Sequence, residues 1–162
     1  MKQFKNILYV SLVLFGFLLI SCSDDDSSPT TPTATFKFTC TLNGGGWNNE
    51  TISFTTGAGS IYSPDENLTS INFSGTGNSD AGAIKFAGNK TGTFAIENDS
   101  NDVAVSITGR ESLELETGTI TVTYYGGVGG EVKGTFSGTS INSSTNTTVQ
   151  VTNGSFSGKR VL

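Results

Sequence analysis

Chemistry in this 162-residue chain falls to carboxylates, aromatic rings and hydroxyls, because the chain contains no histidine. Without an imidazole there is no Ser-His-Asp or Cys-His relay. The zinc-hydrolase patterns and most transition-metal sites are excluded with it. Three sets of residues remain. Glu114 and Glu116 stand two apart, which on a strand places both on one face, about 7 Å apart. Carboxylates at such separations perform glycoside hydrolysis. Those pairs normally come from two elements flanking a cleft, however. Leu113 and Leu115 would take the buried face here and leave the two glutamates in water. Glu97-Asn98-Asp99-Ser100-Asn101-Asp102 concentrates oxygen ligands, and Glu97, Asp99 and Asp102 are the residues that would hold Ca²⁺. The run lacks the spacing and the glycine of an EF-hand, and Asx-rich turns form without metal. The expectation is therefore no metal and no cofactor. Trp47, Tyr62 and Tyr125 are candidate platforms for stacking a glycan. The competing role for Trp47 is to anchor a hairpin from inside the core.

The elements that position these residues read as strands. The chain is 35% hydrophobic with 21 glycines and 11 phenylalanines. Beyond residue 21, Thr and Ser are abundant and Ala and Leu scarce. That balance opposes helical bundles, coiled coils and parallel α/β enzymes. Phe36, Phe38 and Cys40 alternate with polar residues, as do Ile71 and Phe73, Ile84 and Phe86, and Val103 and Val105. The clearest alternation is Thr119 to Tyr125. It sets Ile120, Val122 and Tyr124 on one face and leaves Tyr125 on the other, facing out. Asn43-Gly44-Gly45-Gly46-Trp47 is a turn, and Asn153-Gly154 reads as the turn of a hairpin joining Thr148–Val151 to Ser155–Val161. Gly-Thr-Phe at 92–94 recurs as Gly-Thr-Phe-Ser-Gly at 134–138 and Gly-Ser-Phe-Ser-Gly at 154–158. Each Phe is expected to plug the core, with Gly at strand ends or bends. About ten short strands at roughly 8–12-residue spacing predict one all-β domain, a single antiparallel β-sandwich or small barrel.

The first 34 residues belong to something else. Lys2 and Lys5 precede Ile7–Ile20, 14 residues without a charge. A membrane-spanning helix needs about 20 apolar residues, so this run fits the core of a cleaved export signal over residues 1–21. Its end, Leu19-Ile20-Ser21-Cys22, resembles the lipobox of bacterial lipoproteins. The resemblance implies cleavage before Cys22, a diacylglycerol on the Cys22 sulfur and a palmitate-type chain on the new terminus. Such chains anchor because each buried methylene contributes about 0.8 kcal/mol. Ser23, Asp24, Asp25 and Asp26 then resemble the surface-export signal of Bacteroidetes lipoproteins. That resemblance implies an outer-membrane lipoprotein displayed at the cell surface. An acidic, solvated tether on the periplasmic face is the alternative. Residues 22–34 complete an acidic, Pro- and Thr-rich tether with too little apolar surface to order itself. Its 13 residues span at most about 45 Å. Residues 35–162 form the β domain.

Charge and cysteine narrow the partners. All 14 acids but only seven of the nine bases lie beyond residue 21, giving 7 − 14 = −7. Nucleic acid is an excluded partner, and the lipid anchor is the route to the membrane. With Cys22 acylated, Cys40 has no partner for an intramolecular disulfide. The stretch Gly118–Gly138, the closing Val151–Val161 and the early Phe38 with Asn43-Gly-Gly-Gly-Trp47 resemble a family of uncharacterised Bacteroidetes lipoproteins. The resemblance spans about residues 35–162 and implies a small β domain behind a lipid tether, with no assigned activity. The functional expectation is a non-catalytic binding or interaction domain for a glycan, a peptide or another envelope protein. The alternatives are a structural or assembly accessory of the outer membrane, a hydrolase working through carboxylates alone, and a carrier of an apolar ligand.

Overall fold

The computed structural model describes residues 35–75, 79–97, 100–142 and 145–162. The leader, the tether with Cys22 and Ser23–Asp26, and Asp99 lie outside the described residues. Among the described residues there are eleven strands and no helix. In order they are β1 (Lys37–Gly44), β2 (Trp47–Phe54), β3 (Thr56–Ser63), β4 (Leu68–Ser74), β5 (Ala81–Ala87) and β6 (Gly92–Ile96). β7 (Asp102–Ser106), β8 (Leu113–Glu114), β9 (Thr117–Tyr125), β10 (Glu131–Asn142) and β11 (Thr147–Lys159) follow. One sheet has the order β2-β1-β11-β10-β9-β6 and the other β3-β4-β5-β7-β8. All paired strands within them are antiparallel. The sheets face each other as a β-sandwich, and neither closes into a barrel.

Aromatic rings fill the space between the sheets. Phe38 of β1 lies 5.4 Å from the Phe54 ring, 5.0 Å from Phe136 and 5.3 Å from Phe73 across the sandwich. Phe86 of the second sheet meets Phe94 of the first at 5.3 Å. Ile71, Ile84, Ile120, Val122, Val132 and Val151 complete a continuous core. Cys40 is a buried member of it with a free thiol.

Two expectations change, each for a local reason. Asn153-Gly154 is not a hairpin turn. β11 runs through it as one strand, and Asn153 takes φ 53° inside a bulge. Opposite it, the register jumps from Thr39↔Ser155 to Thr41↔Thr152 in β1 and from Phe136↔Gly154 to Gly138↔Val151 in β10. Asn-Gly supplies the positive φ that either a tight turn or a bulge needs, so the dipeptide alone does not choose between them. The alternation of β9 breaks the same way. Val122 pairs with Gly134 and Tyr124 with Lys133, so Thr123 is an extra residue. Beyond it the faces exchange, leaving Tyr124 exposed and Tyr125 packed against the core.

The glycines of the recurrent motif stand at a strand start, Gly92, or beside register breaks, Gly134, Gly138 and Gly154, and two of them do more. Gly134 and Phe156 are cross-strand partners, and so are Phe136 and Gly154. A Cβ on Gly134 would come within 2.6 Å of the Phe156 ring, and one on Gly154 within 2.6 Å of the Phe136 ring. Each glycine makes room for the phenylalanine of the neighbouring strand. The motif recurs in β10 and β11 because the two copies interlock.

Candidate functional site

The three aromatic candidates do not form one platform. Trp47 opens β2 opposite Gly44, at the end of the sheet where Asn43 pairs with Gln150 and Thr139 with Thr117. Tyr125 closes β9 eight residues past Thr117, about 27 Å away along the strand. Trp47 is buried, and the Arg110 guanidinium lies 4.2 Å from its ring centroid. Arg110 is fixed there by a hydrogen bond to the Gly46 carbonyl and an ion pair with Glu50, both at 3.2 Å. The indole face that would stack a sugar is covered by a cation, and Trp47 acts as the hairpin anchor.

Tyr125 is held as firmly, which corrects the expectation that it faces out. Thr69 donates its hydroxyl to the Gly88 carbonyl at 2.6 Å. The Tyr125 hydroxyl, 2.9 Å from the Thr69 oxygen, must therefore be the donor in that contact. Phe86 meets the Tyr125 ring edge-on at 6.2 Å, and the Arg160 guanidinium lies 5.1 Å from its centroid. Tyr62 is half-buried on β3 and donates to Asn67 Oδ1 at 3.0 Å. It pairs with Thr69 across β3 and β4, so it shares Tyr125's end of the sandwich.

What the structure does bring together is acid. A cleft of about 390 Å³ opens beside β8, lined by Ile96, Glu97, Asp102, Glu111, Glu114 and Glu116, among others. It forms where the chain leaves one sheet for the other. The Leu115 amide bonds to Val103 of β7 and the Glu116 amide to Thr139 of β10. Leu113 and Leu115 are buried, as their alternation predicts, and Glu114 and Glu116 face solvent. Asp102 is half-buried across from Lys85. Burial holds its carboxyl above the ordinary aspartate range, and the Glu114 charge adds to the rise. Lys85 and the Val103 amide oppose it. Of the oxygen-rich run, Glu97 and Asp102 reach the cleft, while Asp99 lies outside the described residues. Among the described residues, no three His, Cys, Asp or Glu side chains group as a metal site.

No protein-family model, curated protein or solved structure matches the chain.

Sequence reasoning missed Glu111, Arg110 and Arg160. Glu111 joins Glu114 and Glu116 only because the β7–β8 connection folds back over β8. Arg110 and Arg160 reach their rings from loops and strand ends, where periodicity carries no signal.

Proposed function

We propose that this chain is a lipid-anchored protein of the cell envelope, displayed on the outer membrane by an acidic tether, with a non-catalytic β-sandwich as its interaction domain. One observation carries the reading. Leu19-Ile20-Ser21-Cys22 ends an export signal and is followed at once by Ser23-Asp24-Asp25-Asp26 and a Pro/Thr tether. The sandwich supports it, because among the described residues one continuous core runs from Phe38 to Phe156. Its partner class is a glycan, a peptide or another envelope protein.

The test uses cells expressing the full chain. Mass analysis of the N-terminal peptide should find acyl chains on Cys22, and protease added to whole cells should cut the domain. Cys22→Ala should release the chain from the membrane fraction. Replacing Asp24, Asp25 and Asp26 with Asn should keep the acylation and hide the domain from protease. An unacylated Cys22 on a processed, membrane-bound chain overturns the reading.

A second reading, glycan hydrolysis by carboxylates, draws on the cleft. There Asp102, whose carboxyl burial holds above the ordinary range, neighbours Glu114 in one cleft, and hydrolysis of this kind uses two carboxyl groups. Reducing-sugar release from envelope glycans, lost in both Asp102→Asn and Glu114→Gln, would establish it. No release by the wild type would end it.

A further inference from the structure

The end of the sandwich where the chain enters from residue 34 differs from the rest of its surface. Thr35 reaches it as the acceptor of a 2.6 Å hydrogen bond from Ser157, and Lys37 pairs with that same serine. Ser157 pairs in turn with Lys133, and Lys133 with Tyr124. Val128 tips the β9–β10 connection at this end, and Arg160–Leu162 run beside Ser60–Tyr62. Among the described residues six large apolar side chains are exposed, and five of them stand here: Ile61, Tyr124, Val128, Val161 and Leu162. Val128 is 69% and Leu162 66% exposed.

Charge divides the same way. The domain beyond residue 34 holds seven bases and 11 acids, 7 − 11 = −4. The entry end carries Lys37, Lys90, Lys133, Lys159 and Arg160 against Asp65, Glu66 and Glu131, 5 − 3 = +2. The remainder is therefore −6, and five of its acids line the cleft beside β8.

We propose that this entry end is a membrane-docking face that rests its apolar tip and basic rim on the anionic bilayer surface and turns the acidic cleft outward. The proposal rests on the lipid-anchored reading above and deepens it. If Cys22 is acylated, the 13 residues 22–34 keep this end within about 45 Å of the lipid. Tethering then makes docking intramolecular, so a face too weak to bind vesicles unaided is sufficient. Exposed apolar side chains ringed by Lys and Arg suit an interface where headgroups are anionic and acyl chains lie just beneath. The opposite polarity of the cleft acts with them, since like charge keeps it away from that surface within a Debye length of about 8 Å.

The experiment uses the mature, full chain purified from cells and reconstituted into phosphatidylglycerol-containing vesicles. An environment-sensitive fluorophore is placed at Val128→Cys or, as control, at Glu114→Cys; buried Cys40 stays unlabelled. The probe at 128 should emit at shorter wavelength and be quenched several-fold more by nitroxide lipids than the probe at 114. Adding Leu162→Glu should remove most of that difference without changing the melting temperature. Equal quenching at 128 and 114 overturns the proposal. So does protection of 128 that arises only when envelope proteins are added, which would make the face a protein interface. Mass analysis of the same samples reports acylation separately. An unacylated chain whose probe is still quenched defeats the anchor and leaves the docking face standing.

Discussion

Asp102 and Asp80 respond to pH in opposite directions, and the difference lies in what touches each carboxylate. Asp80 accepts the Thr108 amide at 2.7 Å and its hydroxyl at 2.8 Å, which hold its proton affinity below the ordinary range. Its contribution is present above the unfolded value and fades as pH falls. Asp102 is raised instead, first by burial and then by Glu114. The folded state therefore binds its proton more tightly than the unfolded chain, whose aspartates titrate near about 3.9. The stability linked to that proton is complete below the unfolded value and is lost as pH rises through the folded one. Asp102→Asn removes the charge that burial disfavours. Its melting temperature at pH 7 should exceed the wild type's, and the gap should close as the pH is lowered below about 4. A variant destabilised equally at both pH values would refute this account. Cys40 shows burial acting on a thiol: desolvation pushes it up to about 12, so it packs as a small apolar group without thiolate reactivity.

At the scale of the strand, the interlocked Gly-Phe pairs of β10 and β11 govern packing. A Cβ on Gly154 would lie 2.3 Å from the Phe136 carbonyl oxygen as well as 2.6 Å from its ring. A ring can rotate, but a backbone oxygen in a sheet ladder moves only with its strand. Gly154→Ala should therefore cost about 1–3 kcal/mol, the usual range for overpacking. Gly127→Ala, where a Cβ meets nothing within 4 Å, is the control and should be near neutral. Denaturant midpoints of the two variants decide it, and equal midpoints would sink the interlock. These strands also mark how far the sequence was legible. Period-2 alternation located β4, β5, β7 and most of β9, because a half-buried strand must alternate. β3 was mostly invisible, since Thr56-Gly57-Ala58-Gly59-Ser60 offers no large apolar residue to alternate. Bulges were hidden as well: one extra residue at Thr123 or Asn153 reverses every face beyond it, and only the partner strand reveals the count. The acid cleft was half legible. Glu114 and Glu116 follow from Leu113 and Leu115, but Glu97 and Asp102 arrive by the crossover from β6 to β7, and Glu111 by the β7–β8 connection.

For the whole molecule, the decisive feature is how the two sheets are joined at one corner. β11 continues past Lys159 so that Arg160 pairs on both sides. Its amide bonds to Gly130 and its carbonyl accepts from Gly129, each at 2.8 Å, on the side of the first sheet. On the other side Arg160 bridges Ser60 in parallel, Val161 donates to Ser60 at 2.9 Å and Tyr62 donates to Leu162 at 3.4 Å. The Arg160 side chain adds bonds to Gly126 at 3.2 Å and Leu162 at 3.1 Å across the face of Tyr125. The segment thereby covers the outer edge of β3, an eight-residue strand that would otherwise present open amides and carbonyls to another chain. The other edges are blunted differently: β2 is interrupted by Asn49 at φ 50°, β6 has five residues and β8 two. Deleting residues 160–162 should then do two things at once. It should lower stability by about 2–6 kcal/mol, from four backbone hydrogen bonds at roughly 0.5–1.5 kcal/mol each. It should also add concentration-dependent association through β3. Arg160→Ala keeps the backbone pairing, so it should reproduce part of the first effect and none of the second. Light scattering beside a denaturant titration separates these outcomes. A truncated chain as stable as the full one, and no more prone to associate, would mean that the corner merely decorates a sandwich already held by its aromatic core.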